Sequence, residues 1–214
     1  MLFPGLVLPL HIFEERYRRL VQDLMDLPED AREFGVVAIR EGREVGADGT
    51  PALFPVGCTA RLRDVERLDD GRYDIVTVGS RLFRLTGLRP PDLARPYLSG
   101  EVEWLPDETG DEAKAQLVAA SVRLAFADYF AALSEASGQR IATPELPDDP
   151  RVLSHLVAAT TLLDLADRQD LLEQVDGQAR LRRELSVLRR ECGFLRALTA
   201  APAPDLARTP YSSN

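Results

Sequence analysis

The hydrophobic positions change character near residue 110. Before it they come in short runs bounded by Pro, Gly or Asp; after it they recur every three or four residues. Leu6, Val7 and Leu8, between Pro4-Gly5 and Pro9, suit a short buried strand. Phe13, Tyr17, Leu20, Val21 and Leu24 then fall at i, i+4, i+7, i+8 and i+11, one face of a helix. Glu14, Glu15, Arg18, Arg19 and Asp23 take the opposite face. The two glutamates sit in the first turn, where negative charge suits the helix dipole, and pair at i+4 with the arginines.

Further along, residues 34–40 and 54–67 read as strands, separated by a turn-rich loop over 41–51 that carries Gly42, Gly46 and Asp48-Gly49. Asp69-Asp70-Gly71-Arg72 supplies a hairpin turn, because Asp-Gly accepts the positive φ that tight hairpins need. Residues 73–88 form the return strand, bent at Gly79, and residues 97–105 a further strand ended by Pro106. Hairpin connections of this kind predict an antiparallel, barrel-like sheet.

The second half predicts helices. From Asp111 to Leu133 nothing interrupts the pattern, and Val118, Val122, Ala125, Phe126, Tyr129 and Leu133 line one side until Gly138 stops it. Asp149-Pro150 is an N-cap followed by an N1 proline, which lacks only an N–H that would be unpaired there anyway. Asp167 is the expected cap of a short helix through Leu171 and Leu172. Asp176-Gly177 opens the last helix, whose seam of Leu181, Leu185, Leu188, Cys192 and Leu195 packs within its own bundle. The fold class is therefore α+β: a β unit over 1–108, a helical bundle over 109–199, and a Pro-containing disordered tail over 200–214.

Composition narrows the function. The net charge of −9 argues against a general nucleic-acid binder, which needs a basic surface. The two cysteines, Cys58 and Cys192, lie far apart and outside any metal-ligand spacing, so free thiols in a reducing cytosol are expected. The apolar start lacks a basic leader and a cleavage site, and no uninterrupted apolar run reaches the roughly 20 residues that span a bilayer. A cytoplasmic protein without a membrane partner is expected.

Candidate chemistry is sparse. No Gly-Lys pair exists, so there is no phosphate-cradling loop of the G-x-x-x-x-G-K-[ST] type. The sole lysine, Lys114, follows Asp111 and Glu112, which keep it charged and solvated; Ser121 is two helical turns away, too far for a Ser–Lys dyad. His11 and His155 are the only histidines and read as backbone- or helix-contacting residues. Asp69-Asp70 and Asp148-Asp149 read as turn and cap residues. No catalytic residue, cofactor or metal site is assigned. Two features suit binding. Aromatics concentrate in the β half, and Tyr97, Trp104, Phe54 and Tyr17 are candidates to line a groove for an extended peptide. Tyr97 and Trp104 lead, on a strand between Pro96 and Pro106 that would form a sheet edge; seven residues apart, they would face opposite sides of it. On the last helix Arg182, Arg189 and Arg196 lie seven apart beside the leucine seam, placed for contact with an acidic partner.

The stretch from Leu8 to Arg18, Leu-Pro-Leu-His-Ile-Phe-Glu-Glu-Arg-Tyr-Arg, resembles the signature of the Lon N-terminal, or substrate-binding, domain. Phe34-Gly35-Val36-Val37, Val56-Gly57-Cys58-Thr59-Ala60, Asp70-Gly71-Arg72-Tyr73, the run Val78 to Leu85, and Arg95-Pro96-Tyr97-Leu98 before Glu101-Val102-Glu103-Trp104-Leu105 agree with it in order. The resemblance spans roughly Leu2 to Leu198. It implies a PUA-like β pseudo-barrel followed by a helical bundle, with no catalysis in this domain. The implied role is binding of unfolded or extended polypeptide, or of a protein partner, as an adaptor or scaffold in bacterial protein quality control. The alternative that the PUA-like barrel suggests is RNA binding. Family members usually begin with a further short strand, whereas this chain opens inside the motif, so a strand upstream of Met1 is expected. The oligomeric state is not legible.

Overall fold

The computed structural model describes residues 1–40 and 52–200, of which Thr199 and Ala200 are described by backbone alone. The loop expected over 41–51 and all but the first residue of the expected tail lie outside the described residues. Five strands come first: β1 (Val7–Ile12), β2 (Glu33–Val36), β3 (Val56–Arg67), β4 (Tyr73–Arg89) and β5 (Ser99–Trp104). The helix α1 (Glu15–Met25) and a short 3-10 turn (Glu29–Ala31) separate β1 from β2. Four helices follow: α2 (Glu112–Ser137), α3 (Pro150–Thr160), α4 (Leu165–Leu172) and α5 (Gly177–Ala200). The architecture is α+β, with an antiparallel sheet and C-terminal helices.

The sheet order is β1-β4-β3-β2, and β5 also pairs with β4. Along residues 73–78, β4 is paired by β1 and β3 together; at Phe83 and Arg84 it is paired by β3 and β5 together. Hence β1 and β5 follow one another along one edge of β4. Among the described residues β1, β2 and β5 each pair on one side only, so the sheet approaches a barrel without closing its ladder. Register shifts at Cys58/Ala60, Leu62/Asp64 and Leu85/Gly87 mark bulges, which bend strands and raise their twist. Gly79 sits at the join between β1 and β5: a Cβ there would lie 2.0 Å from the Phe3 carbonyl oxygen, and its amide donates to Leu6 O at 2.9 Å.

Local chemistry explains most element ends. The side chain of Asp111 caps α2, Asp149 caps α3, and Gly138 closes α2 in the left-handed conformation at φ 65°. Gly71, at φ 80°, turns the β3–β4 hairpin. Four expectations are corrected. β1 runs through Pro9, which is tolerated because β1 is an edge strand. The strand expected to start at Tyr97 starts at Ser99, leaving Tyr97 in the preceding loop. Asp164, not Asp167, caps α4; Asp167 instead receives Arg183 and Arg190. On α1, Val21 and Leu24 are buried, but Tyr17 stays exposed, as does Phe13 just before the helix.

Three cores hold the molecule. Val122, Phe126, Leu153, Val157, Leu181 and Leu188 fill the space between α2, α3 and α5, so the seam of α5 packs inside its own bundle. A second core joins sheet to helices: Phe3, Val56, Cys58 and Leu82 pack with Ala158, Leu171 and Leu172. A third seats Val21 of α1 on Leu62, Tyr73 and Ile75. Cys58 and Cys192 are buried free thiols, and burial pushes the Cys58 thiol up to about 12. By length and composition α2 is apolar enough to cross a bilayer. Gln116, Arg123 and Asp128 interrupt its apolar run, and in this fold one face of α2 is bundle core.

Candidate functional site

The last half of β4 presents its outer edge to β5, in the register Phe83↔Trp104, Leu85↔Val102 and Arg89↔Ser99. Side chains alternate along a strand, so Val102 and Trp104 share one face while Glu101 and Glu103 take the other. Five of the six β5 residues are exposed, and Trp104, the sole tryptophan, is 48% exposed. Its ring meets Phe83 edge-on, with centroids 6.4 Å apart.

Trp104 is held from its other side as well. The Arg81 guanidinium carbon lies 3.7 Å from the indole centroid. Arg81 owes this aim to the bulge: between Cys58↔Leu82 and Ala60↔Gly79, β4 has one residue more than β3. The Arg81 amide donates to Thr59 Oγ1 at 3.0 Å, and the buried Thr59 hydroxyl in turn donates to Glu33 Oε2 at 3.1 Å. Glu33, only 13% exposed at its side chain, forms the ion pair that fixes the Arg81 guanidinium. A chain of contacts thus runs from β2 through β3 and β4 to the exposed indole. It orders an apolar surface that a solvated tryptophan would not keep in one pose.

The loop before β5 is braced separately. Tyr97 is half-buried and its hydroxyl donates to Asp23 Oδ2 on α1 at 2.7 Å, while Arg19 pairs with the other Asp23 oxygen at 2.9 Å. Burial, followed by the Asp23 hydrogen bond, raises the Tyr97 pKa. Asp92 Oδ1 accepts from the amides of Ala94 and Arg95, which turns the loop and leaves Leu93 fully exposed. Phe54 is half-buried, with Arg40 5.4 Å from its ring centroid, and Tyr17 carries Arg16 at 4.6 Å. The four sequence-predicted aromatics are therefore not one cluster: none is in ring contact with another, and Trp104 alone stands on the free strand. Arg81 and Glu33 were not anticipated; their roles depend on a bulge that has no local sequence signature.

A second polar assembly joins sheet to bundle. Asp107, between β5 and α2, accepts from His155 Nε2 at 2.8 Å and from Arg151 at 2.8 Å, with Arg180 at 4.0 Å. Burial alone would raise the Asp107 carboxyl, but the His155 hydrogen bond and charge, then Arg151 and Arg180, outweigh it and hold it at about 2. Burial lowers the His155 pKa against the opposing pull of Asp107. Its Nδ1 has no hydrogen-bond partner, so a second proton would be an orphan donor in the interior. This network is a joint between the segment after β5 and the helices α3 and α5. Lys114 lies at the surface, 2.8 Å from Asp111, as its neighbours imply. Among the described residues no group of three or more His, Cys, Asp or Glu is placed to hold a metal.

The chain is thus an antiparallel sheet, with Trp104 at the end of its edge strand β5, joined to a helical bundle. The chain belongs to the family of the ATP-dependent protease La (LON) substrate-binding domain, whose model matches residues 1–190. It is 28% identical over 183 residues to Lon protease 2 of Syntrophobacter fumaroxidans, covering 85% of this chain and 22% of that protein. Against Lon protease of Escherichia coli K12 it is 25% identical over 195 residues, covering 91% of this chain and 24% of that one. The chain thus spans less than a quarter of these relatives' length. The crystal structure of a Lon N-terminal domain protein from Xanthomonas campestris superposes with a TM-score of 0.60 at 26% identity, covering 87% of this chain and 92% of that one. The N-terminal domain of the Mycobacterium avium complex Lon protease gives 0.57 at 20% identity, covering 90% and 92%, and shows the same fold.

Proposed function

We propose that this chain is a non-catalytic module that binds extended or unfolded polypeptide, acting as an adaptor or scaffold in a Lon-related setting. The observation that carries the reading is β5: among the described residues it is paired on one side only, and it ends in a half-exposed indole in contact with Phe83 and Arg81. An edge strand offers free backbone groups to an added strand, and an adjacent aromatic grips an apolar side chain of that strand. Family membership supports the polypeptide-binding role. The acidic balance of the chain favours polypeptide over RNA. Leu93 and Leu98 are also exposed, in the loop leading into β5.

Because Trp104 is the sole tryptophan, intrinsic fluorescence reports from the proposed site itself. Titration with a chemically unfolded, alkylated protein is expected to shift and quench the emission with micromolar or weaker affinity, since a permissive groove must order its ligand. ATP is not required. Trp104→Ala, followed by anisotropy of the labelled polypeptide, is expected to lose most of the binding while the fold persists. Emission that does not respond to unfolded polypeptide, together with tight capture of a folded protein or of RNA, would overturn the reading.

A further inference from the structure

α2 has two apolar faces. One, with Val122, Phe126 and Tyr129, is buried in the bundle. The other repeats at four and three residues, through Ala113, Leu117, Ala120, Leu124, Ala127 and Ala131, and all six are exposed; Leu117 and Leu124 are each 73% exposed. A bundle helix ordinarily turns polar residues to that side, so a continuous apolar stripe there marks a surface that packs against something. Beside it an open cleft of about 350 Å³ runs between α2 and α5, lined by Leu124 and Asp128 on one wall and Leu185, Arg189, Gly193 and Arg196 on the other. A Cβ on Gly193 would meet nothing within 4 Å. A glycine inside a helix is otherwise unfavourable, and here it leaves room for another backbone to approach.

The arginines of α5 divide by side. Arg180 reaches Ser154 and the Leu171 carbonyl, Arg183 pairs with Asp170, and Arg190 with Asp167. Arg182 and Arg189, one heptad apart and exposed, pair with no acid among the described residues, and Arg196 continues their row. In a chain of net charge −9, exposed Arg182 and Arg189, without an acid among the described residues, beside an apolar stripe that no described residue covers, are a directional feature. It matches a helix that is apolar on one side and carries acids at heptad spacing along the adjoining flank.

We propose that the α2–α5 face is a docking surface for an amphipathic helix of a partner protein, leucine-rich on its buried side and acidic on the flank that meets Arg182 and Arg189. A second copy of this chain would bring the same arginine row rather than a row of acids. A bilayer would lie across the cleft without filling it. The proposal is independent of Trp104 and β5.

The test uses the full chain and two labelled synthetic 21-residue helical peptides, both with Leu at heptad a and d positions. One carries Glu at every e position and the other Lys. At low ionic strength the Glu peptide is expected to bind at least about tenfold more tightly, a difference that salt erodes. The double variant Arg182→Glu/Arg189→Glu is expected to invert the preference. Because both side chains are exposed and unpaired, it keeps the fold. Gly193→Leu, which fills the cleft, is expected to abolish binding of both peptides with the melting transition retained. Equal binding of the two peptides, no binding of either, or a preference unchanged by charge reversal overturns the proposal. So does a chain that sediments as a dimer and becomes a monomer on Leu124→Asp, which would give the face to a second copy. Leu124-dependent partition onto zwitterionic vesicles without peptide preference would give it to a bilayer, and also overturns the proposal.

Discussion

The guanidinium of Arg81 lies 3.7 Å from the Trp104 ring centroid and is itself held by the carboxylate of Glu33, so an exposed indole on the free strand is fixed from three strands away. A cation over an aromatic face contributes about 0.5–1 kcal/mol at exposed sites. Arg81→Ala is therefore expected to weaken capture of unfolded polypeptide by roughly twofold to fivefold, to lower the melting transition because it leaves the mostly buried Glu33 carboxylate without its ion pair, and to make Trp104 more accessible to acrylamide. Stern–Volmer quenching of the free protein, with anisotropy of the labelled polypeptide, checks both. Unchanged quenching would mean that the ring is not held by Arg81 in solution.

The joint at Asp107 makes stability depend on pH in a stated direction. The His155 pKa is lowered in the fold, so the unfolded chain takes up a proton that the folded chain refuses. Its contribution is complete above the ordinary histidine range near 6.5 and is lost as pH falls below it. The Asp107 carboxyl, held at about 2, adds a second loss between its ordinary 3.8 and about 2. Urea unfolding of the parent protein and of His155→Gln between pH 8 and 5 is expected to show the parent losing stability relative to the variant as pH falls. His155→Gln keeps a donor for Asp107 but cannot titrate, and is expected to flatten that part of the curve. Asp107→Asn leaves Arg151 and Arg180 without their shared carboxylate and is expected to cost about 2–4 kcal/mol at pH 7.

Glu184 acts in the opposite sense. It is buried, neither oxygen has a hydrogen-bond partner, and burial raises its pKa well above the ordinary value of 4.5 against the pull of Arg180. Stability from this group is complete below that value and is lost as pH rises toward the folded pKa. Glu184→Gln is thus expected to gain on the parent protein as pH rises from 4.5 to 7. Parallel denaturation curves at pH 5, 6 and 7 measure the gap, and a gap that does not widen would mean that the carboxyl is ionised and paired.

Much of the fold was legible because its signals are local. The Asp70-Gly71 turn, the Asp149 cap, Gly138 and the seam of α5 each depend on a few neighbouring residues and on the period of the chain. What failed depended on partners distant in sequence. Pro9 looked like a strand end and is not, because β1 needs to pair on one side only. Tyr97 looked like a strand residue and is instead tied to Asp23, 74 positions away. The pairing of Arg81 with Trp104 follows from a bulge opposite Thr59, which no local pattern announces. The outer face of α2 repeats at heptad spacing in the sequence, but two apolar stripes on one helix share the same period, and only the packing of the bundle separates the buried one from the exposed one.

The central claim is that polypeptide adds to the free edge of β5. Backbone hydrogen exchange across residues 99–104, with and without a saturating unfolded polypeptide, tests it most directly. Among the described residues β5 is paired on one side only, so its outward amides are expected to exchange quickly in the free protein and to become protected on binding, together with a change in Trp104 emission. Protection confined to other elements, with residues 99–104 exchanging as fast as in the free chain, would contradict the account.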